Sequence, residues 1–142
     1  MSTSYPIHDL FVRELKYQDN SDHAKLSVFR YDDHLLRRFG HAEFIRASDG
    51  SSHKSEIQEA ADEVWALLEG TVSFSWKDKR QDSPTFDREH HQTSSNPLLL
   101  LVPFGVAFGY HVDEGEALLL RFSTHEPLDY PNDRLLKMVT NK

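Results

Sequence analysis

The chain contains no cysteine. Neither a disulfide framework nor a thiolate metal site is therefore open to it, and redox chemistry leaves no record of compartment. Positive charge is also scarce: 16 lysines and arginines stand against 23 aspartates and glutamates, a formal net charge of −7. Nucleic-acid backbones and anionic membrane surfaces both need a basic face, so no nucleic-acid and no membrane partner is expected. Long apolar runs are missing, and nothing approaches the roughly 20 residues of a membrane-crossing helix. The opening MSTSYPIHDLF lacks the basic-then-apolar layout of a secretory leader. A cytoplasmic location is the default expectation. What remains is an ordinary globular composition, 38% hydrophobic and 27% charged, in 142 residues. That is enough for a single domain, residues 1–142, with a real core.

Strand signals dominate that composition. Leu98–Val102 (LLLLV) is a short apolar run closed by Pro103-Phe104-Gly105, a tight corner in which Pro pre-sets φ and Gly can take φ > 0. A second short strand follows, then an acidic turn at Val112–Glu116, then a closing strand at Ala117–Phe122. In Val64–Trp76, Val72, Phe74 and Trp76 alternate with Thr71, Ser73 and Ser75, the period of a half-buried strand, with Gly70 read as a turn. Earlier, Phe11–Leu15, Leu26–Arg30 and Glu43–Ala47 suit strands, with a polar loop at Tyr17–His23. Tyr31–Arg38 suits a helical turn or a loop, Ser48–Ser55 a loop, and Glu56–Asp62 a short helix or a slanted strand. Lys77–Asn96 is a polar insert that reads as an extended hairpin with a mobile tip. Near the end, Asn132 or Asp133 suits the cap of a short amphipathic helix. Strands at short spacing without βαβ alternation predict an all-β jelly-roll barrel with a short C-terminal helix or extended tail.

Two spacings then resemble the motifs of the cupin superfamily. Glu63-VWALLE-Gly70 reproduces the Glu-to-Gly portion of the first motif, and Pro103-Phe-Gly105 the Pro-x-Gly of the second. The metal ligands are absent: Ile57–Glu59 stands where a His-x-His pair is expected, and Phe108 where the second motif has His. Within the cupins the chain resembles the RmlC-like group, the dTDP-4-dehydrorhamnose 3,5-epimerases and dTDP-sugar 3,4-ketoisomerases. The resemblance is carried by the first hairpin ending in Phe29-Arg30, by Gly50-Ser-Ser-His53-Lys54, by VWALLEGTVSFSW, by PFGVAFGYHV and by the exit LLLRFSTHEPLDYPNDR.

The resemblance implies a proton transfer next to a sugar ketone. Imidazole is the side chain that titrates nearest neutrality, which suits a general base. On that footing His53 is the candidate base, Glu63 or Asp62 its orienting carboxylate, and Tyr110 or Tyr130 the acid. Arg46, Lys54 and Arg121 are candidates to meet a diphosphate or an enolate oxygen. Trp65, His111 and Phe108 are candidates to line the substrate site, and either Trp65 or Trp76 offers a ring for sugar stacking. His90-His91 are neighbours whose side chains point to opposite faces of a strand, so no metal site is expected there. No cofactor is expected. The implied partner is a small molecule, a nucleotide sugar or carbohydrate, and the family resemblance adds a homodimer.

Three functions follow from these residues. The first is a metal-independent epimerase or isomerase of a nucleotide-linked 4-keto sugar. The second is a noncatalytic cupin that binds a carbohydrate or acidic metabolite, favoured by Phe108, which neither transfers protons nor ligates metal. The third is a metal cupin with ligands rearranged among His53, Glu63, His111 and His90.

Overall fold

The computed structural model describes residues 7–20, 22–58 and 60–125. Nine strands build it: β1 (Val12–Glu14), β2 (Tyr17–Asp19), β3 (Ala24–Leu26), β4 (His41–Ala47), β5 (Ser52–Ile57), β6 (Glu63–Asp78), β7 (Glu89–Ser94), β8 (Leu98–Val102) and β9 (Val106–Ser123). Seven of them form one antiparallel sheet, and β2 and β3 make a separate hairpin. The only helical turn among the described residues is a 3-10 turn at Tyr31–Asp33. No helix of the described residues is long and apolar enough to cross a membrane.

Two long strands, β6 and β9, run antiparallel along their whole length and carry the architecture. The first half of β6 and the last half of β9 pair with β8 and β4, and β8 in turn with β1. The second half of β6 and the first half of β9 pair with β7 and β5. The β6–β9 register slips between Leu67 and Val72, where Gly70 has φ +109°. The slips divide the sheet into two halves that enclose one core, the all-β jelly-roll arrangement. Gly70 is thus a bulge inside a continuous strand and not a turn: an added Cβ there would lie 2.8 Å from the Ala117 backbone. Val112–Glu116 is corrected in the same way. The polar, Gly-containing stretch imitates a hairpin loop but stays within β9, with Gly115 at φ +73°.

Period two sorts the side chains. Trp65, Leu67, Phe74, Trp76, Leu98, Leu100, Phe108, Tyr110 and Leu119 point between the halves and form the main core. Val64, Ala66 and Leu99 point the other way. That outer face is covered by Leu26, Val28, Phe29, Leu35 and Leu36. Arg13 fastens the cover by bonding both oxygens of Asp33, at 3.3 and 3.0 Å. These bonds hold the Asp33 carboxyl down to about 2.

Several local expectations shift. The strand expected at Leu26–Arg30 is Ala24–Leu26, because its partner is the supposed loop at Tyr17–Asp19. The loop expected at Ser48–Ser55 ends at Ser51, where polar β5 begins and pairs with β9. Glu56–Asp62 contains no helix among its described residues. The Lys77–Asn96 insert is a hairpin, but its 79–88 connection is pinned rather than mobile. Asp78, with no solvent exposure, accepts from the Arg80 backbone and guanidinium, from Ser83 and from Thr85. The expected C-terminal helix or tail lies outside the described residues.

Candidate active site

At one end of the core the residues between the two halves turn polar. Alternation along β4 points His41, Glu43 and Ile45 inward and Phe44 and Arg46 outward. Glu63 opens β6, and Arg121 lies on β9 between Trp65 and Glu43. Glu63 is 4% exposed, and both its oxygens are occupied. Oε1 accepts from the Trp65 indole at 2.9 Å, and Oε2 from Arg121 Nε at 3.1 Å and from Arg121 Nη2. Arg121 Nη1 also donates to Glu43 at 3.0 Å, and His41 Nε2 lies 3.0 Å from the other Glu43 oxygen. The result is a chain of alternating charge, His41–Glu43–Arg121–Glu63, with the guanidinium 5.7 Å above the Trp65 ring. Burial alone would lower the Arg121 pKa, but Glu63 and Glu43 outweigh it and raise it further. His41 foremost, with Arg121, holds the Glu43 carboxyl below its ordinary range.

His53 faces this chain from β5. Its ring stacks on Tyr110, its cross-strand partner, at 5.2 Å and 13°, and touches Trp65 at 5.7 Å. The carboxylate beside it is Glu56, 3.7 Å from Nε2. Neither Glu63 nor Asp62 takes that place: Glu63 is bound as described, and Asp62 accepts from Arg37 and from the Phe104 amide. The bulge between His53 and Glu56 brings the nearer acid round, an irregularity that strand alternation alone does not predict. Tyr110 is buried, and burial raises its hydroxyl above the usual value, so it holds its proton at neutral pH.

His53, Glu56, Gln58, Glu63, Val102, Phe108 and Arg121 line a small cavity, with space for about one water. Phe108, 2% exposed, belongs to the main core cluster. It packs on Trp65, Phe74, Trp76 and Tyr110 at 5.3 to 6.5 Å. Trp65 and Trp76 are both buried at 1–2% exposure, which leaves neither ring open to stack on a sugar.

His53, Glu63, Tyr110, Trp65, Phe108 and Arg121 are thus brought together, and three other candidates are not. Arg46 is on the outer face of β4, beside Glu116 at 3.8 Å and the Phe44 ring. Lys54 is exposed, next to the strand bulge. His111 points away from the interior and shares a 2.6 Å hydrogen bond with Ser52. Tyr130 lies outside the described residues. Four residues of the site went unnoticed in the sequence: His41, Glu43, Glu56 and Gln58. The i, i+2 spacing of His41, Glu43 and Ile45 was the available signal, since it places two polar groups on the face of an apolar one. No three His, Asp or Glu side chains among the described residues are grouped to hold a metal ion.

The spore coat polysaccharide biosynthesis protein SpsL of Bacillus subtilis (strain 168) is 32% identical over 112 residues, covering 75% of this chain and 74% of that protein. The chain belongs to the RmlC-like cupins. Solved structures share the fold. A dTDP sugar isomerase from Desulfovibrio desulfuricans G20 superposes with a TM-score of 0.79 at 20% identity, over 88% of this chain and 82% of that one. The dTDP-6-deoxy-D-glucose-3,5-epimerase of Legionella pneumophila, solved with dTDP-4-keto-L-rhamnose, gives 0.70 at 22% identity, over 84% and 68%. No protein-family model matches the chain. In this RmlC-like cupin Phe108 and the rings packed on it lie in the buried core, and the polar chain lies at one end of it.

Proposed function

We propose that this RmlC-like cupin is a metal-independent epimerase or isomerase of a nucleotide-linked 4-keto sugar, with His53 as its base. The observation that carries the reading is the His53–Tyr110 pair at the polar mouth. An imidazole without a hydrogen bond shorter than its 3.7 Å approach to Glu56 lies against a phenol that keeps its proton. In this reading the imidazole takes the proton from the carbon beside the ketone, and the electron pair moves to the ketone oxygen as an enolate. Glu56 stabilises the imidazolium. Arg121, fixed by two carboxylates, presents positive charge at the mouth where the enolate develops. Tyr110, stacked beside His53, returns a proton to the neighbouring carbon. One proton leaves and one returns, so no redox partner is needed. The names of the structural neighbours, which include dTDP-sugar isomerases and epimerases, support the substrate class. A homodimer and a cytoplasmic location belong to the same reading, the first open to a mass measurement in solution.

The test is hydrogen exchange. A dTDP-linked 4-keto-6-deoxy sugar is incubated with the protein in heavy water and followed by NMR. Deuterium entering beside the ketone with the wild type, and not with His53→Gln, supports the reading; no incorporation by the wild type sinks it. One observation favours the second reading, a noncatalytic binding barrel. The cavity bordered by His53, Glu63, Phe108 and Arg121 has room for about one water, so a sugar does not enter it in this conformation. Ligand-induced stabilisation without any exchange would select it.

A further inference from the structure

The second half of the sheet has an outward face that none of this chemistry uses. Across it lie Ser52 on β5, His111 on β9, Ser73 on β6 and Thr93 on β7, in one cross-strand row. One step along the strands, Ser75 sits between Gly109 and His91. Together with Ser55 they line an open groove of ≈ 500 Å³. His53, Tyr110, Phe74 and Gln92 also line the groove, and the His53 and Tyr110 rings contact Trp65 at 5.7 and 5.6 Å.

Exposed sheet faces usually carry long charged side chains. This one carries short ones on four adjacent strands, and the shortness makes the trough. At its centre Gly109 is required by packing, because a Cβ would come within 2.9 Å of the His53 carbonyl oxygen. The hydroxyls are held in place. Ser52 and His111 Nδ1 are 2.6 Å apart, and Ser73 and Thr93 2.8 Å apart. Ser73 also donates to Asp113. Asp113 Oδ1 lies 4.0 Å from His111 Nε2.

The composition of the lining selects the ligand. It contains no lysine or arginine, so a phosphate or sulfate group meets no permanent cation. Phe74 and Tyr110 also border it, with their rings in the core cluster. The lining offers hydroxyls, each with one donor and two acceptor positions, and imidazole nitrogens, with the Asp113 carboxylate bonded to Ser73 beside it. Those are the partners of a neutral molecule dense in hydroxyl groups. The volume falls within the range of small-molecule sites. We infer that the outer groove between β5 and β7, which shares only His53 with the small cavity at the barrel mouth, is a second binding site, for an uncharged saccharide.

The test uses isotope-labelled full-length protein and NMR titration with glucose, galactose and rhamnose, and separately with inorganic phosphate and dTDP. Neutral sugars are expected to shift the Ser75, Thr93, Gly109 and His111 amides while leaving the Trp65 indole in place. Ser75→Trp fills the trough and is expected to weaken that binding about tenfold or more. Thr93→Trp, on the edge strand, gives the same result independently should Ser75→Trp perturb the sheet. The inference is overturned if neutral sugars shift nothing, if they shift only Trp65 and His53, or if inorganic phosphate moves the groove amides as strongly. Absence of dTDP binding at the mouth, with sugars still in the groove, would count against the nucleotide-sugar reading alone.

Discussion

Glu63 grips Arg121 diagonally across the β6–β9 ladder, and no other carboxylate among the described residues is so completely enclosed in the polar end of the barrel. Removing one partner of a buried pair leaves an uncompensated charge, which costs about 3–5 kcal/mol. Glu63→Ala is expected to lower the urea midpoint accordingly. Glu63→Ala combined with Arg121→Met should recover much of the loss, because neither charge then remains. Additive losses in that double-mutant cycle would show that the pair is not coupled.

His53 has the opposite profile. It is part-exposed and lies at an edge strand, so His53→Gln should leave the thermal midpoint nearly unchanged. Loss of a positioned general base reduces the rate by about 10²–10⁴-fold. Turnover of a dTDP-linked keto sugar is the readout, with Tyr110→Phe expected to impair proton return while sparing proton removal. Full activity in His53→Gln would exclude it as the base.

Acid sensitivity should report on Asp78. Burial pushes its carboxyl up, but hydrogen bonds from Arg80, Ser83 and Thr85 outweigh this and hold it well below its ordinary 3.8. A depressed carboxyl contributes stability that is complete above the unfolded value and lost as pH falls through the folded one. The wild type should therefore lose stability below pH 3.8. Asp78→Asn should be less stable at neutral pH and show a flatter decline below that point. Chemical unfolding across an acid series would measure both, and parallel curves would refute the assignment.

Gly70→Ala should cost more than the usual exchange within a strand. The position combines φ +109° with a Cβ site 2.8 Å from Ala117. Positive-φ strain alone contributes about 1–3 kcal/mol. A thermal midpoint within error of the wild type would mean that the bulge relaxes freely.

These residues also show where the sequence was readable. The alternation at Val72, Phe74 and Trp76 and the apolar run at Leu98–Val102 sit on the faces that their period implies, since burial on one side imposes period two. The jelly-roll class was legible in short strands without βαβ alternation, whereas His53 with Tyr110 or Tyr130 came from the family resemblance. Gly70 and the acidic stretch at Val112–Glu116 misled because a bulge and a turn call on the same residues; only long-range pairing separates them. Glu56 was hidden by the bulge after His53. Arg46 and Lys54 were chosen for charge, and charge says nothing about which face of a strand a side chain occupies.

The shared β6–β9 pair has a consequence for how the molecule comes apart. Each half of the sandwich is built on its own segments of the same two strands, and the halves bury one core between them. Melting one half exposes the core face of the other, and hydrogen exchange in β6 and β9 should follow a single global opening. During synthesis the same arrangement delays closure. Glu63 waits for Arg121, 58 residues further along, so the polar mouth closes only after β9 has been made.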